Sequence, residues 1–239
     1  MKLREEEQGQ PSAPRGTLLD RETFGRRLRD ARKALGWTLQ HLSEQSGVSV
    51  PTISRAERGQ LALGYENLAA LGRALKMDMN AMFVREGVAT TALHSPVITR
   101  AGEGVVYQGA SFAYEFLATT ATGKRMSPVI GTVHARRISG PEAFARHEGE
   151  EFVYVLSGAL EIHFDTGQVV ALKKGDSVYY DSAIGHAYIS TSRQLARVVA
   201  VTSAATGDAL RPPRQAAEVA ATAAAPRQSR RQAGGANAA

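Results

Sequence analysis

Two stretches of this chain concentrate side chains that can bind a metal or move a proton. The first is His147-Glu148-Gly149-Glu150-Glu151-Phe152-Val153-Tyr154-Val155-Leu156-Ser157-Gly158. The second is Gly175-Asp176-Ser177-Val178-Tyr179-Tyr180, running on to Ile184-Gly185-His186. Imidazole and carboxylate ligate divalent metals, and imidazole also exchanges protons near neutral pH. Other chemistries lack their residues. There is no cysteine, which removes disulfides and thiolate metal sites. No glycine-rich phosphate loop and no Ser-His-Asp or Cys-His nucleophile set can be argued. Glu150 and Glu151 do not make an acid/base pair, because neighbours on a strand face opposite sides. His41, His94, His134 and His163 lack comparable partners and read as surface or strand-face residues.

The elements that must position these groups are strands. Beyond Pro96 the texture becomes short β-rich runs separated by glycine and polar turns: VVYQ, AYEFLA, VIGTVHA, EEFVYVLSG, ALEIHF, VVALKKGDSVYY, HAYIS and ARVVAVTS. Many short strands at such spacing predict an all-β barrel or sandwich. Phe152, Tyr154 and Leu156 alternate with Val153 and Val155, as in a strand with two unlike faces.

The two stretches resemble the paired motifs of the cupin superfamily, a small β-barrel, over about Val97 to Thr202. The family's first motif supplies two histidines one residue apart, then a glutamate, then a glycine after the strand. His147, Glu151 and Gly158 match, and Ala145 stands at the other histidine position. The second motif supplies a third histidine, matched by His186, with Asp181 and Ala183 where proline and glycine are usual. The resemblance thus implies a metal set of His147, Glu151 and His186. Two neutral imidazoles and one carboxylate leave three positions open on an octahedral metal. That set suits non-haem Fe(II) and also admits Zn, Ni or Mn, so one divalent metal is the expected cofactor. The alternative is that the same three residues line a pocket and hydrogen-bond an organic effector without metal. Arg136, Phe152, Tyr154, Tyr179 and Tyr188 are the candidates to line that pocket.

The N-terminal half has a different texture. Phe24, Leu28, Ala31 and Leu35 recur at helical spacing from about Arg21 to Leu35, with Arg26, Arg27, Arg29, Arg32 and Lys33 on the other faces. Thr38 caps a second helix, Gly47 ends it, and Ser49 caps a third with Pro51 in its first turn. A fourth helix is expected from Tyr65 to Leu75, with Tyr65 and Asn67 placed to touch phosphate, and a fifth is expected from Asp78 with Met82 and Phe83 inward. The stretch Thr38 to Gly59, above all "SGVSVPTISRAERG", resembles the repressor-like helix-turn-helix domains of bacterial regulators. It implies DNA contact through Gln40, Ser49, Val50, Thr52, Ser54, Arg55 and Arg58. Charge agrees: residues 18–85 carry 11 Lys/Arg against 7 Asp/Glu, whereas residues 100–201 carry 10 of each. An excess of cations over the helical half is the footprint of phosphate binding.

The whole chain is therefore expected to be two-domain, α plus all-β. Residues 1–17 form a disordered N-terminus and residues 18–84 a five-helix repressor-like helix-turn-helix domain. A linker spans 85–96, a cupin β-barrel for effector binding and dimerisation spans 97–203, and a disordered Ala/Arg-rich tail spans 204–239. No signal peptide or membrane span is visible, which predicts a cytoplasmic protein with no membrane partner. The architecture resembles bacterial regulators with a C-terminal cupin sensor. That resemblance implies a non-enzymatic transcription factor, a homodimer that binds a palindromic double-stranded operator and answers to a small-molecule effector. The same order of domains with one cupin histidine absent also resembles the iron-dependent fosfomycin epoxidases. On that alternative His147, Glu151 and His186 hold Fe(II) for oxygenase or epoxidase chemistry, and the helical domain is a scaffold.

Overall fold

The computed structural model describes residues 16–77, 82–85 and 87–203. The expectations for residues 1–15 and for the tail from residue 204 lie outside them. Helix α1 (Arg21–Ala34) starts where Asp20 Oδ1 accepts the Thr23 N–H at 2.7 Å. Helix α2 (Leu39–Ser46) starts where Thr38 Oγ1 accepts the His41 N–H at 3.0 Å, and it ends at Gly47 with φ of 74°. Helix α3 (Val50–Glu57) starts where Ser49 Oγ accepts the Thr52 N–H at 3.3 Å, with Pro51 in the first turn. Each cap satisfies an N–H that the helix leaves without a partner, worth about 1 kcal/mol. Helix α4 (Tyr65–Ala74) begins at Gly64 without a side-chain cap.

Phe24, Leu28, Leu42, Ile53, Leu68 and Leu71 are fully buried between these helices. Arg32 and Glu57 lock them together. The Arg32 guanidinium donates to both carboxylate oxygens of Glu57 at 2.6 and 2.7 Å and to the Trp37 carbonyl at 2.7 Å. One side chain thereby joins α1, the α1–α2 turn and the end of α3.

Among the described residues there are four α-helices, not the expected five. Helix α4 is closed by Lys76 at φ of 52°, and the Met77 N–H turns back to the Gly72 carbonyl at 2.9 Å. Asp78, the expected cap of a further helix, lies outside the described residues. Met82 and Phe83 are buried, and the carbonyls of Met82 and Val84 accept from Arg27 at 2.8 and 2.7 Å.

The strands are β1 (Thr17–Leu18), β2 (Thr91–Ala92), β3 (Val105–Gln108), β4 (Phe112–Phe116), β5 (Ala121–Thr122), β6 (Met126–Val133), β7 (Glu150–Ser157), β8 (Ala159–Phe164), β9 (Val169–Lys173), β10 (Ser177–Asp181), β11 (His186–Ser190) and β12 (Arg197–Ser203). They form a seven-stranded sheet in the order β1-β3-β4-β6-β12-β7-β10, a three-stranded sheet β11-β8-β9, and the pair β2-β5. The two larger sheets share an apolar core that includes Val153, Val155, Leu160, Ile162, Leu172 and Val198.

The expected barrel is not formed. Closure needs an unbroken hydrogen-bonded ladder from last strand to first. Here β1 and β10 end one sheet and β11 and β9 end the other, and β11 reaches beyond its own sheet through an isolated bridge, Ala145 to His186. The result is a sandwich of open sheets.

The helical and β-rich parts are fastened to each other. Tyr107 on β3 accepts the buried Leu63 N–H at 2.6 Å, and its ring packs on Phe24 at 5.0 Å and Phe83 at 5.7 Å. Thr17 and Leu18, ahead of the first helix, pair in parallel with Val105 and Val106. No helix among the described residues is long and apolar enough to cross a membrane.

Candidate metal centre

His147, Glu151 and His186 reach one point from three local structures. Glu151 lies on β7, where burial alternates so that Glu151, Val153 and Val155 face inward. His186 opens β11 and is held to the loop before β7 by reciprocal backbone bonds with Ala145, at 2.9 and 3.0 Å. His147 lies on that same loop, its N–H bound to the Ser182 carbonyl at 3.0 Å.

Gly149 makes the turn between His147 and β7. Its φ is 95°, and a Cβ there would stand 2.4 Å from the Ser203 carbonyl oxygen. Gly149→Ala is expected to cost at least about 1–2 kcal/mol from the backbone conformation alone, with the clash in addition. Chemical denaturation checks it, and a variant within experimental error of wild type would contradict this account of the loop.

One ligand atom from each of the three side chains lies within 4.8 Å of the others, and all three residues are buried. Glu151 Oε2 is 3.2 Å from His147 Nε2 and 3.5 Å from His186 Nε2. The His186 Nδ1 lies 2.9 Å from the Ile184 carbonyl oxygen. A carbonyl only accepts, so Nδ1 carries the proton and Nε2 presents a bare lone pair. Burial lowers the His186 pKa, only partly offset by the Glu151 charge, so the ring is neutral near pH 7. Burial also opposes ionisation of Glu151. The hydrogen bonds with His147 and Tyr188, and the positive charge an adjoining imidazole carries whenever it is protonated, outweigh it and hold the carboxyl below its ordinary range. A lone pair and an anionic oxygen thus face each other in a buried site, an arrangement that a shared cation relieves. The three residues fit a single divalent metal on donor type, burial and convergence.

A cavity of about 340 Å³ opens beside the cluster. Ala145, at the position where a further histidine would stand, lines it, so that side of the cluster faces open space. Tyr188, Phe112, Ile189 and Arg137 contribute from the β-rich part. Tyr65 and Asn67 contribute from the start of α4. The Tyr65 hydroxyl is hydrogen-bonded to Thr202 Oγ1, and its ring meets the His147 ring edge-on at 4.8 Å. Burial raises the Tyr65 pKa, so the hydroxyl stays protonated at all ordinary pH.

Of the residues expected to line an effector pocket, Tyr188 lines this cavity. Phe152 and Tyr154 occupy the outward parity of β7, and Tyr179 pairs with Phe152 across β10; they are 37%, 41% and 62% exposed. The cause is strand alternation, since Glu151 faces inward and its neighbour must face out. Arg136 is exposed and spends its guanidinium on the carbonyls of Ser190, Ser192 and Arg193. Its neighbour Arg137 reaches the cavity instead. Tyr65 and Asn67, read from sequence as phosphate contacts, line the cavity. Strand β12 buries Val198, Ala200 and Thr202 in alternation, which turns Thr202 inward to meet Tyr65.

The polar residues of the helix-turn-helix stretch lie on or near the surface. Ser49, Arg55, Arg58 and Gln40 are exposed, and Val50, Thr52 and Ser54 are half-buried. Several are engaged within the helices: Ser49 Oγ with Thr52 Oγ1 at 2.8 Å, Arg58 with Ser54, and Gln40 Nε2 with Glu44 at 2.9 Å.

The expectation that the chain catalyses nothing does not stand. It rested on the resemblance of the domain order to cupin-bearing regulators, whereas the buried His/Glu/His cluster beside the cavity offers the ligand set and the space that metal-dependent catalysis needs.

Comparison with known proteins agrees with the two halves. The family model described as a helix-turn-helix domain matches residues 23–81, and the one described as a cupin domain matches residues 132–202. The chain therefore carries a helix-turn-helix-like N-terminal domain and a cupin-like C-terminal domain. No curated protein matches it. Among solved structures, an HTH_3 family transcriptional regulator from Vibrio cholerae is 17% identical, with a TM-score of 0.55 over 78% of this chain and 98% of that one. The likeness shows a shared fold. Hydroxypropylphosphonic acid epoxidase from S. wedmorenis is 18% identical over 77% of this chain and 98% of its own. Its TM-score of 0.39 is too low to support any functional argument.

Proposed function

We propose that this chain is a metal-dependent oxidative enzyme, with His147, Glu151 and His186 as the ligands of a divalent iron and the adjoining cavity as the seat of a small polar organic substrate. The observation that carries this reading is the buried convergence of two imidazoles and one carboxylate at the wall of that cavity. Bound there, Fe(II) would supply the electrons and open positions on which oxidation by dioxygen depends. The chain's own residues do the rest. Phe112 and Ile189 exclude water, and the Arg137 guanidinium offers hydrogen-bond donors that orient a polar substrate. In this role the helical domain is more than a scaffold, because α4 builds one wall.

The test is to incubate iron-loaded protein with a library of small organic acids and alcohols, in air with a reductant. Mass spectrometry should find a compound that gains an oxygen atom or loses a pair of hydrogens with wild type and not with Glu151→Gln. Stoichiometric iron with no compound converted would sink the enzymatic reading.

A second reading has its own support. Helix α3 exposes Arg55, with Ser49 exposed at its start and Arg58 exposed just past its end, on a domain with excess positive charge. Such a helix suits a major groove, and two copies would read a palindrome with half-sites about 34–36 Å apart. On this reading the cavity takes an effector and the chain works as a homodimer. The outward face bearing Phe152, Tyr154 and Tyr179 supports a second copy there. Arg55→Ala should weaken binding to a selected operator by about 1–3 kcal/mol, read by fluorescence anisotropy at fixed salt. Equal affinity would remove Arg55 from the interface. Tyr154→Lys should shift the solution mass from dimer to monomer by light scattering, and an unchanged mass would place the interface elsewhere.

A further inference from the structure

Glu151 is held at both ends. Its Oε2 faces the two imidazoles, and its Oε1 accepts the Tyr188 hydroxyl at 2.6 Å. Tyr188 in turn lies 2.7 Å, oxygen to oxygen, from the Tyr180 hydroxyl. A phenol has one proton. Tyr188 has committed its own to Glu151, so Tyr180 must be the donor to Tyr188. The direction of the chain is thereby fixed: Tyr180 to Tyr188 to Glu151. Each donated bond polarises the next, which strengthens the contact at the carboxylate.

Both rings are set by the fold. Tyr180 stands directly across from Glu151 in the β7–β10 register, with Phe164 and His186 each at 5.1 Å. Tyr188 comes from the other sheet, two residues after His186, and packs against Phe112 at 5.6 Å.

We infer that Tyr188 is a positioning residue for the metal centre, with Tyr180 as its support. By occupying Oε1, Tyr188 confines Glu151 to donation through Oε2 alone. A carboxylate released from that bond can bind with both oxygens and consume a coordination position. The tyrosine pair therefore keeps places open for substrate and oxidant. This inference rests on the metal reading of the cluster.

The experiment uses the full chain and Co(II) as the probe, titrated without oxygen and followed by visible absorption, whose intensity falls as coordination number rises. Wild type should bind one equivalent. Tyr188→Phe should bind with affinity lower by about 10–100-fold, the usual cost of losing a partner of a metal ligand, and with bands altered in position and intensity by the changed ligand set. Tyr180→Phe should move both readings in the same direction by less. A Tyr188→Phe spectrum and affinity equal to wild type would overturn the positioning role while leaving the metal reading intact. Failure of wild type to take up Co(II) would overturn both. Should Tyr188→Phe not fold, Tyr180→Phe decides, and an unchanged spectrum there overturns the inference.

Discussion

His186→Ala is expected to abolish metal binding in equilibrium dialysis, while the far-ultraviolet circular dichroism of the protein should stay that of wild type. The expectation follows from the count of donors. With His186 removed, one imidazole and one carboxylate remain, too few to compete with water for a divalent ion. The loss should exceed the 10–100-fold that removal of a ligand's partner brings. Folding should survive, because His186 is tied into its bridge by backbone atoms, with the Ala145 carbonyl accepting the His186 N–H at 3.0 Å. Full metal content in the folded variant would exclude this cluster as the site.

The second large effect is on stability. Arg32→Ala should lower unfolding free energy by about 3–5 kcal/mol, because it leaves the buried Glu57 carboxylate without its charge partner. The Arg32 and Glu57 side chains are only 10% and 6% exposed. For a chain of this size the melting midpoint should fall by roughly 6–20 °C. The double variant Arg32→Met/Glu57→Leu should recover most of that loss, since replacing both charges leaves nothing unpaired. Differential scanning calorimetry of wild type, single and double variants separates the cases. A single variant as stable as wild type would contradict the role given to this pair.

Local chemistry was readable where the chain itself carries both partners. Thr38 and Ser49 announce helices because the N–H they cap lies three residues away. The metal cluster was readable through two motifs, since His147 and Glu151 share one stretch and His186 closes the other. What was missed depends on contacts between distant segments. Tyr65 reaches the cavity by meeting Thr202, 137 residues later, and nothing near Tyr65 signals it. Barrel closure failed for the same reason: whether β10 meets β1 is decided by twist and register across the sheet, not by any one strand's composition. The misplacement of Phe152 and Tyr154 is different in kind. Period-two alternation puts them opposite Glu151, so assigning Glu151 to the interior already excluded them from the cavity.

The central claim is that His147, Glu151 and His186 hold one iron with positions left open toward the cavity. The most direct measurement is electron paramagnetic resonance of the protein loaded with Fe(II) without oxygen and then exposed to nitric oxide, which binds only where the iron has an open position. The account predicts a high-spin iron–nitrosyl signal of one equivalent per chain in wild type, absent from Glu151→Gln prepared identically. A folded wild-type protein that gives no such signal, or a Glu151→Gln variant that gives it in full, would contradict the claim.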